Sequence, residues 1–299
     1  MSGASGFTEK VKWLDSILNV DRMIEGDKNS SRQIRSYFRN TRLAYRKFHS
    51  SQGFMHFRVS KGDTLSDEDI YYQPNVISGY IRSGSCVLEL GPGQGANLLY
   101  LAPRHPDADF CGLDLLPAKL KDPPPNLRML KQDYSNMPNI KDDSVDVVYG
   151  IETIVYSSEK DKIFREVYRV LKPGGVFIVY DYALRKKYED YDPIEQRGIA
   201  ILSKCGACAM IESAAEWERR FTDNGFRELS ITDLSKETLP DLKRLQKKAS
   251  HVIDRPGRAK RIAFFCSRHL INNVVIGYLG YDSCREGIGY YKEWIFRKP

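Results

Sequence analysis

The sequence predicts an α/β fold with a Rossmann-like, seven-stranded and mostly parallel sheet, a helical N-terminal segment and an inserted helical lid. Short apolar segments alternate with helical patterns through the middle of the chain, as in parallel strands joined by crossover helices. A glycine-rich turn, GPGQG at residues 91–95, follows the first of these segments. About sixty residues separate the last two predicted strands, which is far beyond a common loop length and indicates an inserted helical unit.

Strands are predicted where apolar residues cluster between turn signals, over residues 86–90, 110–114, 127–130, 145–150, 176–181, 226–231 and 292–297. A helix is predicted over residues 160–171, and it stops at LKPGG because proline and glycine do not continue a helix. A second helix is predicted over residues 214–224, and Gly225 follows it.

The same pattern predicts how the chain is organised. We expect a helical cap over residues 1–80 and a core over 81–231 with an insertion at 182–213. The core is followed by a helical lid over 232–291 and a final core strand over 292–299. In the cap, Ile34, Phe38, Tyr45 and Phe48 fall near one face of a helix. Ligands of open parallel sheets bind beyond the carboxyl ends of the strands, so both insertions are placed to cover a substrate.

Composition limits the class of protein. The sequence has 299 residues, of which 41% are hydrophobic, enough for a sizeable core. It has no apolar run long enough for a transmembrane helix, and its start lacks a signal-peptide pattern, so we expect a cytoplasmic protein. The pair Cys205 and Cys208 has no second pair at suitable spacing, so no metal site is predicted. The sequence is compatible with an oligomer but does not indicate an oligomeric state.

The net charge of +7 is concentrated before the end of the sequence. A basic run is interpreted either as a solvated helix face or as a contact with anionic membrane lipid or an acidic partner. No nucleic-acid-binding motif accompanies the run, so a nucleic-acid partner is not predicted. The run comprises Lys243, Arg244, Lys247, Lys248, Arg255, Arg258, Lys260 and Arg261.

The segment ELGPGQG, residues 89–95, has the pattern of a cofactor loop. Glycine lets the backbone turn sharply and approach a ligand closely, and free N–H groups at a helix start favour a negative group. That group is pyrophosphate in a dinucleotide enzyme and the methionine carboxylate in a methyltransferase. The glycine pattern alone leaves both open, because Ala96 also satisfies the nicotinamide-type spacing.

Further residues favour S-adenosylmethionine. Asp114 ends the second predicted strand, where a carboxylate can accept both ribose hydroxyls. Asp133 follows the third strand and can accept a hydrogen bond from the adenine amino group, while Tyr134 offers an aromatic face to the ring. The predicted cofactor-binding residues are Glu89, Gly91, Gly93, Gly95, Asn97, Asp114, Leu115, Asp133, Tyr134 and Ile151.

At these residues the sequence resembles the class I S-adenosylmethionine-dependent methyltransferases, over about residues 70–231. Four other segments resemble the sterol C-methyltransferases. They are IETIVY at 151–156, residues 166–175 with YDY at 180–182, FMHF at 54–57, and the terminal GYYKEWIFRKP, which also resembles the tocopherol methyltransferases. The resemblance implies a lipophilic acceptor. Tyr156 stands where that family has histidine, and the amino-acid sequence of the cofactor loop differs from the family's.

The resulting hypothesis is C-methylation of an isoprenoid or sterol-like acceptor. Aromatic rings stabilise the carbocation that forms when an alkene is methylated, and a base then removes a proton. O- or N-methylation of a small natural product and a non-catalytic cofactor-binding scaffold are the alternatives. The aromatic candidates are Tyr45, Phe48, Phe54, Phe57, Tyr156 and Tyr182, although plain packing of helices explains such a pattern equally well. The candidate bases are Glu152, Tyr156, His49 and His56, and the predicted catalytic set is Glu152, Tyr156, His56 and Tyr45.

Overall fold

The fold is described from a computed structural model that covers residues 6–25, 34–41, 50, 52–62, 64–265 and 268–299, without the side chains of residues 265 and 268. These residues form a seven-stranded sheet in the order β3-β2-β1-β4-β5-β7-β6. Strand β7 is antiparallel to both of its neighbours, and the other pairs are parallel. The predicted Rossmann-like fold is confirmed. The strands are β1 Cys86–Leu90, β2 Asp109–Asp114, β3 Leu127–Lys131, β4 Val145–Ile151, β5 Leu171–Leu184, β6 Arg227–Asp233 and β7 Gly289–Arg297.

Strand β5 is much longer than predicted. Leu171 already pairs with Val145 of β4, and at the other end Leu184 pairs with Gly289 of β7. The LKPGG segment ends the preceding helix as expected, but it lies inside the strand, with Gly174 in the left-handed region at a φ of 82°. The long antiparallel pairing with β7 keeps the backbone extended past residue 181, so Tyr182 is still a strand residue.

Helices cover the sheet and form a further layer beside it. The two predicted helices, now α6 and α8, are confirmed to within one residue at their ends. The helices are α1 Phe7–Ile17, α2 Val20–Ile24, α3 at residues 34–41, α4 Tyr72–Ser78, α5 Ala96–Leu101, α6 Lys160–Val170, α7 Pro193–Cys205, α8 Ala214–Asp223, α9 Ser235–Ile253, α10 Pro256–Phe265 and α11 Arg268–Arg285.

The sheet buries apolar residues on both faces because successive side chains of a strand point to opposite sides. Leu88 and Val148 pack with Phe164 of α6 on one face. Val87 and Val147 pack with residues of α4 and α5 on the other. The sheet is therefore buried on both faces, and its carboxyl edge is held in a fixed position.

A second apolar core joins α1, α2, α7, α9, α10 and α11, which we call the helical layer. Helix α1 packs so closely on α7 that a Cβ at Gly198 would lie 2.5 Å from the Phe7 ring. Lys10 of α1 makes a buried ion pair with Asp282 of α11 at 2.5 Å. Segments predicted as a cap and as two separate insertions thus share one core. None of the described helices combines the length and apolarity needed to cross a bilayer.

Candidate functional site

The glycine-rich loop connects β1 to α5 at the carboxyl edge of the sheet. Gly91, Gly93 and Gly95 all have positive φ, at 63°, 55° and 77°. A Cβ at Gly91 would lie 1.9 Å from the Thr153 hydroxyl oxygen, which is far inside van der Waals contact. Both the backbone conformation and the close approach therefore require glycine here.

Asp114 lies beside this loop at the end of β2. One carboxylate oxygen accepts a hydrogen bond from the backbone N–H of Gly93 at 3.0 Å, and the other accepts one from Leu116 at 2.7 Å. Burial raises the pKa of Asp114 from its usual value. The adjacent Leu115 is half-buried, as is Asp133 in the loop after β3, where its carboxylate accepts hydrogen bonds from Ser135.

Two of the predicted cofactor residues also hold the fold together. The phenol of Tyr134 donates to the backbone oxygen of Thr153 at 2.9 Å. It thereby ties the loop after β3 to the turn after β4. Ile151 ends β4 and is buried. These two residues fix the turn that carries Glu152.

A buried series of polar residues runs beneath the glycine loop. Glu89 accepts hydrogen bonds from the Asn97 amide at 3.0 Å and from the Tyr149 phenol at 3.1 Å, and burial raises its pKa to about 8. The Asn97 side-chain oxygen lies 3.1 Å from Nε2 of His56, whose Nδ1 lies 3.1 Å from the backbone oxygen of Phe57.

Burial lowers the pKa of His56, and the side chain is 2% exposed. Each ring nitrogen lies within hydrogen-bonding distance of a protein oxygen atom, and a neutral imidazole donates to one of the two. The catalytic role of His56 stays a prediction.

The residues at this edge fit S-adenosylmethionine. The loop that requires glycine provides a close backbone approach, and the carboxylates of Asp114 and Asp133 stand at the ends of neighbouring strands. A sulfonium cofactor with ribose and adenine needs hydrogen-bond acceptors of this kind. Among the described residues, no cluster of three or more His, Cys, Asp or Glu residues could hold a metal ion.

Glu152 is the first residue after β4 and lies in an unusual conformation, with a φ of 49°. Its carboxylate accepts a hydrogen bond from the backbone N–H of Phe57 at 2.7 Å and another from the phenol of Tyr182. Burial raises its pKa to about 8, and the nearby Asp181 adds to this shift. A strained, buried carboxyl group with a raised pKa is typical of functional sites.

Three aromatic rings surround this carboxyl group. The Phe57 and Tyr182 ring centroids are 5.6 Å apart, and the Tyr291 centroid lies 6.0 Å from Phe57 and 5.7 Å from Tyr182. These three residues form what we call the aromatic trio. A cation within about 6 Å of such faces is stabilised electrostatically.

Asp181 supports the same turn from below. It is fully buried, and it accepts hydrogen bonds from the backbone N–H groups of Val155 at 2.9 Å and Tyr182 at 3.0 Å. Burial raises its pKa to about 7. It holds both the turn after β4 and the residue that donates to Glu152.

A cavity of about 410 Å³ opens from Glu152 and the aromatic trio into the helical layer. Its walls are mainly apolar side chains of α7, α9 and α11, and Glu152 is the only carboxylate among its described lining residues. Helix α9 lines it from Leu242 to Val252, about 15 Å along the helix axis. Gly277 and Gly280 of α11 also line it, and a Cβ at either position would contact α9 at an ordinary 3.5 Å.

Tyr156 and helix α3 form part of this wall. Tyr156 lines the cavity, and Phe38 of α3 packs on its ring with centroids 5.1 Å apart. Tyr37, which the sequence pattern did not indicate, also lines it and donates to the Asn273 side chain at 2.6 Å. Phe54 packs on His56 and Tyr71 outside the cavity lining. The candidates Tyr45, Phe48 and His49 lie outside the described residues.

Sequence reasoning did not assign a role to Tyr291 or Asp181. Tyr291 is far from Glu152 in the sequence, and the antiparallel pairing of β7 with β5 brings it beside Tyr182. Asp181 stood in the YDY segment, but nothing in its sequence context indicates that its carboxyl group is buried. The one sequence signal that could have indicated these two residues was the resemblance of the YDY and GYYKEWIFRKP segments to the sterol C-methyltransferases.

Comparisons with known proteins agree with this geometry. The family model described as "Methyltransferase domain" matches residues 88–179. The sterol 24-C-methyltransferase of Pneumocystis carinii is 26% identical over 200 residues, which are 64% of this chain and 52% of that protein. The chain spans about half the length of the curated relatives it matches.

Two solved structures show the same fold. The [4+2]-cyclase SpnF superposes with a TM-score of 0.68 at 18% identity, covering 90% of this chain and 96% of that one. Geranyl diphosphate C-methyltransferase from Streptomyces coelicolor A3(2) gives 0.65 at 17% identity, covering 90% and 98%. Residues 88–179 therefore belong to a class I S-adenosylmethionine-dependent methyltransferase domain, and the protein that carries it resembles the sterol C-methyltransferases.

Proposed function

We propose that the protein is an enzyme that methylates a carbon atom of a lipophilic, isoprenoid or sterol-like acceptor. The observation that carries this proposal is the elongated apolar cavity that meets Glu152 and the aromatic trio at the cofactor edge of the sheet. An apolar pocket with a few convergent polar groups and a carboxyl of perturbed pKa is the expected form of such a site.

The resemblances support the same class of acceptor. Sterol 24-C-methyltransferases occur among the relatives, and the Streptomyces structure contains geranyl-S-thiolodiphosphate, Mg²⁺ and S-adenosyl-L-homocysteine. The cavity of this protein extends about 15 Å along α9, which suits an extended hydrocarbon better than a small amine or phenol.

The geometry supports the following part for the protein in the reaction. The cofactor supplies an electrophilic methyl group on a sulfonium. The cavity walls align an acceptor double bond with that group and exclude water. The double bond's electron pair forms the new C–C bond while the S–CH₃ bond breaks, which leaves a positive charge on the acceptor.

The aromatic trio faces that charge, and the Glu152 carboxylate accepts the proton whose loss restores a double bond. We assign Glu152 as the catalytic base and Asp181 as a positioning residue. Tyr156 lines the cavity, and we keep it as a second candidate.

The experiment uses the full-length protein with cofactor labelled in its methyl group and a panel of sterols, linear isoprenoids and phenols. We expect label on carbon of an extended acceptor. Label found only on oxygen or nitrogen would overturn C-methylation. No binding of S-adenosylmethionine in calorimetry would instead favour a scaffold protein.

A further inference from the structure

Residues of the basic run predicted from the sequence lie beside the cavity. Lys248 of α9 both lines the cavity and is exposed, and Ile262 of α10 lines the cavity further along. Since α10 packs on α9, these two lining residues lie on adjoining helices.

The cations of the two helices form one surface. Arg258 of α10 donates to the backbone oxygen of His251 of α9 at 3.0 Å, which places it one turn from Lys247 and Lys248. Lys260 and Arg261 are exposed on α10 as well. We call these five residues, Lys247, Lys248, Arg258, Lys260 and Arg261, the basic face. Its charge is complementary to an anionic surface and repels a basic one.

A large apolar side chain stands on the same helix. Phe264 is 82% exposed, whereas Ala259 of the same helix is fully buried in the helical layer. Residues 257, 261 and 264 recur at helical spacing, so Phe264 shares a face with Arg261. An exposed phenylalanine flanked by cations matches an interfacial helix, whose apolar residue enters the lipid while the cations meet its headgroups.

We propose that α10 and the end of α9 dock on an anionic lipid bilayer, and that the acceptor enters the cavity from that bilayer between Lys248 and Ile262. The entry route rests on the proposed lipophilic acceptor, but docking itself does not require catalysis. An anionic lipid surface is favoured over an acidic protein because Lys248 of the basic face also lines the apolar cavity. Without a lipid surface there, an insoluble acceptor would have to cross water to reach the cavity.

The test is cosedimentation of the full-length protein, without acceptor, with phosphatidylcholine vesicles that contain or lack phosphatidylserine. We expect binding that requires phosphatidylserine and weakens as salt is added. Each cation near such a surface contributes about 1 kcal/mol, or a factor of about five, so the triple variant Arg258→Gln/Lys260→Gln/Arg261→Gln should bind on the order of 100-fold more weakly. Phe264→Ala should weaken binding on the order of tenfold.

The matched control is Lys141→Gln/Arg219→Gln/Arg227→Gln, which removes three exposed cations from the sheet domain. It should bind as the wild type does. Equal losses in both triple variants, or binding that ignores phosphatidylserine, would overturn the proposal. Cofactor affinity and melting temperature, measured on every variant, verify that the protein is folded.

Methyl transfer to acceptor held in detergent micelles separates this proposal from the proposed function. The α10 variants should retain that activity while losing activity on acceptor in vesicles. A protein that binds anionic vesicles but methylates nothing would refute the proposed function and leave docking standing.

Discussion

The cofactor edge of the sheet and the cavity in the helical layer are built in opposite ways. The edge is polar and made from loops that each follow a strand, with Asp114 and Glu152 held by backbone hydrogen bonds. The cavity is apolar and is enclosed by three separate helices, α7, α9 and α11, that pack on one another. The glycine loop thus depends on the conformation of one short segment, whereas the cavity, where we propose that the acceptor binds, is the space that packed helices leave open.

The largest effect is expected at the glycine loop. Gly91→Ala should abolish measurable cofactor binding, because the new Cβ would lie 1.9 Å from the Thr153 hydroxyl oxygen and the φ of 63° is unfavourable for alanine. Titration calorimetry with S-adenosylmethionine checks this.

Gly84→Ala is the matched control, since Gly84 has a φ of 76° and open space around it. It should lose only about 1 kcal/mol of stability through backbone strain and bind the cofactor normally. Normal cofactor binding by Gly91→Ala would show that the loop tolerates a side chain. Cofactor binding would then not depend on the conformation of this loop, contrary to the comparison above.

The next largest effect is expected where the two regions meet. Glu152→Gln should lower kcat by about 10²- to 10⁴-fold, the usual contribution of a positioned base, while cofactor affinity stays the same. Glu293→Gln controls for loss of a buried carboxyl group, because Glu293 pairs with Tyr180 and Thr232 away from the cavity lining. A similar loss of kcat in both variants would argue against a specific role.

The pH dependence of the wild type sharpens this assignment. The pKa of Glu152 is raised to about 8, so the carboxyl group is mostly protonated at lower pH and cannot accept a proton. Turnover should therefore rise with pH. A bound sulfonium favours the ionised form, so the midpoint at saturating cofactor lies at or below that value. Glu152→Gln should remove this rise.

The smallest effect is expected inside the helical layer. Gly280→Leu should lower kcat/KM for extended acceptors by about tenfold or more, because the side chain fills part of the cavity. Gly280→Ala should change little, since its Cβ would meet Leu242 at an ordinary 3.5 Å. Both variants should bind S-adenosylmethionine as the wild type does. Unchanged kcat/KM in Gly280→Leu would place the acceptor outside this cavity.

Much of the sheet was predictable because its signals are local. Each strand is a short apolar segment, and α6 and α8 end at proline or glycine signals. The extension of β5 beyond Asp181 was not predictable, since it depends on pairing with β7 more than a hundred residues later. The sharing of one core by α1 and α11 was missed for the same reason.

In the site, too, the residues in local motifs were predictable and the long-range contacts were not. Gly91, Asp114 and Glu152 stand in motifs that the sequence displays, and the structure brings them to one edge. The burial of the His56 ring against Asn97 could not be predicted, because the sequence neighbours of His56 do not indicate it.

The cofactor edge can be read from the order of motifs in the sequence: a glycine loop after β1, carboxylates after β2 and β3, and Glu152 after β4. Parallel strands bring their carboxyl ends to one edge, so a linear order of motifs is enough to build a cofactor site. The apolar cavity, where we propose that the acceptor binds, became visible only in the folded molecule. Its shape depends on Gly277 and Gly280 of α11 facing α9, and on Tyr291 reaching Tyr182 through antiparallel pairing. Long-range packing fixes a cavity because it is the volume that side chains from distant segments leave unfilled.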